Sequence, residues 1–96
     1  MSTSATIETE WAATTYHASA DGYPRSMEPY IEDIIETARE IAQEEYKEPE
    51  DKWQRECKRL LDEKTEGNYS ELSKTVRGRG NYHYVIGRDG EVTVKD

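Results

Sequence analysis

Apolar and polar positions change their period along this chain, and each change marks an element. Ile7, Thr9, Trp11 and Ala13 alternate with Glu8, Glu10 and Ala12, which predicts a half-buried strand from Ala5 to about Ala18. Thr14, Thr15, Tyr16 and His17 continue it after a bend or bulge, because the parity shifts there. Residues 1–4 read as a disordered tail. Met27, Tyr30, Ile31, Ile34, Ile35, Ala38, Ile41, Ala42 and Tyr46 then recur at three- and four-residue spacings, predicting a helix over about 26–47. Ser26 suits its N-cap, Glu28 complements the dipole, and Pro29 is tolerated in the first turn.

Pro49 interrupts that pattern and suits the start of a second helix. Trp53, Cys57, Leu60 and Leu61 place this helix over about 49–64, and Gly67 is a natural terminator. A short helical turn follows, capped by Asn68 or Ser70, with Tyr69, Leu72 and Val76 inward. Tyr82, Tyr84 and Ile86 alternate with His83 and Val85, and Val92 and Val94 with Glu91, Thr93 and Lys95. Gly87-Arg88-Asp89-Gly90 joins these two runs as a hairpin turn. The predicted order is β-α-α-β-β. It describes a small two-layer α+β domain over 5–96, a three-stranded, mostly antiparallel sheet covered on one face by two helices.

Composition narrows the class. Of 96 residues, 33% are hydrophobic and none is Phe, so two Trp and seven Tyr must supply much of the bulky core. A net charge of -8 disfavours nucleic acid and anionic membranes as partners. An ordinary solvated acidic surface, adaptation to high salt and imitation of a nucleic-acid surface all fit that charge. A single Cys57 forms no internal disulfide and suits a reducing compartment. The N-terminus lacks a basic region followed by an apolar run, and uninterrupted apolar runs stop at three residues. The expected location is therefore the cytoplasm, or a host's cytoplasm for a virus-encoded protein.

Asp21-Gly22-Tyr23-Pro24 ends the first strand and hands the chain to the helix; Gly22 permits φ > 0 and Pro24 fixes its own φ. Together with the terminal Tyr82-His83-Tyr84-Val85-Ile86 and Asp89-Gly90-Glu91-Val92-Thr93-Val94 strands, it resembles a loose set of small uncharacterised proteins of bacteria, archaea, their viruses and plasmids. Members often carry a basic or aromatic residue just before the Asp, where this chain has Ala18-Ser19-Ala20. The resemblance covers both ends of the chain. It implies a mobile-element or accessory origin and no particular reaction.

Candidate chemistry is sparse. His17 and His83 can approach each other if the first strand joins the hairpin, but no closely spaced ligand pair of the zinc type exists. Cys57 lies on an apolar stripe and reads as core rather than nucleophile. No cofactor or metal is expected. Arg77 and Arg79, in an Arg-Gly-Arg-Gly connector near aromatics, are the basic patch for the alternative reading, a nucleic-acid-linked regulator; a small-ligand module is another. The leading expectation is a non-enzymatic protein that binds a protein partner or itself. Tyr82, Tyr84, Trp11 and Tyr16 are the candidate aromatic contacts, and Glu36 and Glu40 the acidic ones.

Overall fold

The computed structural model describes residues 3–19, 22–47, 51–67, 70–75 and 81–95. Seven elements follow in order: β1 (Ala5–Thr9), β2 (Ala12–Ala18), α1 (Pro24–Glu45), α2 (Lys52–Glu63), β3 (Ser73–Thr75), β4 (Tyr82–Ile86) and β5 (Val92–Lys95). The strands form one open sheet in the order β3-β2-β1-β4-β5. The α+β class and two helices agree with the sequence. The sheet has five strands, not three, and the order is β-β-α-α-β-β-β.

Two corrections explain the difference. The parity shift after Ala13 belongs to a hairpin: β1 turns at Glu10 and Trp11 and returns as β2, with a register irregularity between Glu8 and Thr9. The expected helical turn near residue 72 is the short strand β3, whose Ser73 pairs with His17. Leu72 does point inward and is buried; Asn68, Tyr69 and Val76 lie outside the described residues. The β4–β5 hairpin forms as predicted, closed by Gly87 N–H donating to Glu91 O at 2.8 Å. Gly90 at its turn has φ 86°, a conformation that suits glycine.

β1 is the central strand. It pairs antiparallel with β2 and parallel with β4, so Ile7 stands between Tyr16 and Tyr84 in one row. That row faces the helices. Ile7, Tyr16, Tyr84 and Ile86 join Ile31, Ile34, Ile35, Ala38, Cys57 and Leu61 in a single buried core. Each large side chain buried there contributes about 1.5–3 kcal/mol. Leu60 is only half-buried at its edge.

The helices use the predicted stripes with shifted ends. α1 starts at Pro24, with Tyr23 rather than Ser26 as N-cap; the Tyr23 carbonyl accepts from Ser26 N–H and Met27 N–H at 2.9 and 2.8 Å. Pro24 at the first helical position loses no intrahelical bond. Pro29 lies inside the helix instead, leaving the Arg25 carbonyl without its i+4 donor. α2 starts at Lys52; Pro49 lies outside the described residues. Gly67 has φ 89°, three residues past the C-cap Lys64.

Gly22 holds the pivot between sheet and α1, though by a different cause than expected. Positive φ is found at Gly67 and Gly90 among the described residues, not at Gly22. Instead its backbone is pressed against β1: a Cβ there would stand 2.5 Å from Ser4 O. Gly22 N–H donates to Thr3 O at 2.9 Å, and buried Tyr84 OH donates to Gly22 O at 2.6 Å. Ser4 N–H donates to Asn81 Oδ1 at 3.0 Å, so the ordered chain reaches back into the stretch read as a tail. Asp21 and Ala20 lie outside the described residues.

Candidate functional site

Geometry divides the aromatic set read from the sequence. Tyr16 and Tyr84 are 1% and 0% exposed, so they belong to the core and offer no surface. This corrects their assignment as partner contacts. In a chain without Phe, the row facing the helices had to be filled by tyrosines. Each hydroxyl finds an acceptor, Asp62 Oδ1 at 2.5 Å for Tyr16 and Gly22 O for Tyr84. Burial pushes the Tyr84 hydroxyl up to about 12, and burial with the Asp62 hydrogen bond raises that of Tyr16.

Tyr82 and Tyr23 are different. Tyr82 is half-buried at the start of β4 and stacks at a tilt on Tyr23, with ring centroids 5.9 Å apart. Tyr23 is 46% exposed, the large apolar side chain left at the surface among the described residues. The Arg25 guanidinium lies 5.7 Å from the Tyr23 ring centroid. Thr3 and Asn81 complete a shallow cleft of about 430 Å³ with these two rings. The position is rigid as well as exposed, because Gly22 is fixed on one side and Pro24 opens the helix on the other.

α1 runs away from this patch with seven carboxylates against two arginines. Glu32, Asp33, Glu36, Glu40, Glu44 and Glu45 are exposed, and none forms an ion pair among the described residues. Of the two arginines, Arg39 is occupied: it donates to Asp89 O at 2.8 Å and lies 4.9 Å over the Trp53 ring. Arg77 and Arg79 lie outside the described residues.

Trp11 sits at the opposite end of the sheet. It packs edge-on against Trp53, with centroids 5.3 Å apart, and is half-exposed. Beside it lies Glu56, a helical carboxylate that is only 5% exposed. Arg59 Nε donates to it at 2.7 Å and holds its carboxyl below the usual range against the opposing effect of burial. Its place at i+3 from Trp53, on the buried stripe, was the available signal.

His17 and His83 do flank one residue, since Thr6 is the register partner of both, on the face away from the helices. His83 Nε2 lies 3.2 Å from Glu8 Oε1, close enough for an ion pair when protonated but not aligned as a hydrogen bond. Cys57 is buried in the core on the other face. Among the described residues no group of three or more His, Cys, Asp or Glu is placed to hold a metal ion. No helix of the described chain is long and apolar enough to cross a membrane.

No family model, curated protein or solved structure matches this chain. Its chemistry is therefore read from its own residues.

Burial pushes the Cys57 thiol up to about 12 from an ordinary 9.0, opposite to what a nucleophile needs. Two results follow. At neutral pH a thiol-specific reagent should label Cys57 only at the rate of unfolding. Because the folded value lies above the unfolded one, the stabilisation is complete below pH 9 and is lost as pH rises toward 12. The raised Tyr84 hydroxyl acts in the same direction. Urea midpoints measured at pH 7 and above pH 10 should fall; equal midpoints would contradict the buried thiol.

Proposed function

We propose that this protein works by binding another protein, not by catalysis, with Tyr23, Tyr82 and Arg25 as the contact. The supporting observation is an exposed ring on a held backbone: Tyr23 is 46% exposed, rests on half-buried Tyr82, and is flanked by the packed Gly22 and by Pro24. Tyr and Arg are enriched among the residues that dominate interface energies, and a Tyr ring with few rotatable bonds loses little conformational entropy on binding. The acidic flank of α1, Glu36 and Glu40 included, gives the partner its character. It favours a basic protein surface and speeds encounter with it. A modulator or inhibitor of a host system, carried on a mobile element, is the concrete form of this reading that the sequence resemblance favours. Self-association is its other form.

Capture from native lysate, with mass measurement of the purified protein alongside, tests it. The wild type is expected to retain a basic protein or a second copy. Tyr23→Ala is expected to lose it while costing only about 1 kcal/mol of stability, the worth of its stack on Tyr82. If Tyr23→Ala retains the same partner, the patch is not the contact. A wild-type monomer that retains nothing removes the binding reading itself.

A further inference from the structure

The two edges of the sheet are guarded unequally. At one edge, β3 turns Lys74 toward the helix-covered face, where it bridges to Asp62 at 3.5 Å. An inward charge of this kind hinders pairing with another chain. At the other edge, β5 carries Val92 and Val94 on that face and contains no proline. Its free backbone groups follow from the bonds around it. The even residues of β4 bond toward β1: Ile86 O accepts from Glu10 N–H at 3.1 Å, and Tyr82 N–H donates to Ser4 O at 3.3 Å. The odd ones therefore face β5, as Gly87 N–H does in donating to Glu91 O at 2.8 Å. With Val85 opposite Thr93 and His83 opposite Lys95, Thr93 and Lys95 turn their backbone groups inward to β4. The N–H and C=O of Val92 and Val94 point outward, with no partner among the described residues. Both valine side chains are half-buried against the core, while Glu91, Thr93 and Lys95 are exposed. Neither Glu91 nor Lys95 forms an ion pair among the described residues.

We propose that β5 pairs antiparallel with β5 of a second copy, about a two-fold axis at Thr93. This register sets Val92 opposite the partner's Val94, and these are the residues whose backbone groups are free to exchange hydrogen bonds. It also sets Glu91 opposite the partner's Lys95, at a position without ladder bonds where side chains stand closest. Symmetry repeats both matches. A parallel pair would set Glu91 against Glu91 and Lys95 against Lys95, so charge selects the antiparallel one. The valines of the two copies then continue one apolar row on the helix side of a joined sheet. The contact does not rest on Tyr23, which stacks on Tyr82 of β4, one strand in from the edge. That patch is left to the basic protein.

So small a contact gives a weak dimer, and each copy carries a charge of -8. Sedimentation equilibrium is therefore run up to about 1 mM protein. Salt at about 0.15 M screens repulsion beyond about 8 Å. The expected result is a concentration-dependent dimer, with the ¹⁵N-labelled amide signals of Val92 and Val94 shifting as it forms. Glu91→Lys and Lys95→Glu each set like charges opposite and are expected to weaken it about tenfold. A mixture of those two variants is expected to restore it as a heterodimer, which a loss of folding in either would not allow. Glu91→Lys leaves the Tyr23 patch whole, so a protein captured there is retained while this dimer is lost. A monomer at every concentration, a dimer that Glu91→Lys leaves unchanged, no recovery in the mixture, or shifts confined to Tyr23 and Tyr82 would overturn the proposal.

Discussion

Gly22→Val is expected to destabilise the domain by about 3 kcal/mol or more, the upper range for forcing atoms into packed structure. The added Cβ would stand 2.5 Å from Ser4 O, 2.6 Å from Ser4 C and 3.0 Å from Ala5 N. All three are backbone atoms of or next to the central strand, so no side-chain rotation relieves the clash. Moving Gly22 away would also break its N–H bond to Thr3 O and the Tyr84 hydroxyl bond to its carbonyl. Even Gly22→Ala introduces the same Cβ and should lose most of this stability. A urea denaturation curve reads the effect directly, and a midpoint within error of the wild type would mean that β1 and the pivot are not in contact.

Tyr84→Ala is expected to cost about 3–5 kcal/mol, since it empties a fully buried aromatic site beside the central strand. Tyr84→Phe keeps the ring and removes only the hydroxyl bond to Gly22 O, and should cost about 1–2 kcal/mol. Tyr82→Ala, at a half-buried ring two residues earlier, should cost less than Tyr84→Ala and leave a folded domain. The contrast matters for any binding experiment. Loss of binding in Tyr84→Ala would report unfolding, whereas loss in Tyr82→Ala would report the surface. Thermal melts of the three variants decide it, and a Tyr84→Ala protein as stable as Tyr82→Ala would place Tyr84 outside the core.

What the sequence shows clearly is whatever depends on local period. The stripes of α1 and α2 and the alternation of β4 and β5 are written in neighbouring residues, and each element is present close to its predicted place. The β1–β2 hairpin is harder to read because its turn, Glu10-Trp11, has neither Gly nor Pro. β3 is three residues long, too short for a period to register. The division of the tyrosines depends on register between distant strands: Tyr84 is core because it lies opposite Ile7, 77 positions earlier. Tyr82 keeps the same parity but reaches the sheet's end, where the helices no longer cover it fully. No local pattern separates the two.

The position of β1 has a consequence for how the chain is made. Its partner on one side, β2, is translated directly after it, but the partner on the other side, Tyr82–Ile86, follows 77 positions later. Until β4 is made, the strand destined for the middle of the sheet is therefore an open edge, with backbone groups free to pair with a neighbouring nascent chain. Closure of that edge waits for β4, so the middle of the sheet is completed only by a contact that spans most of the described chain.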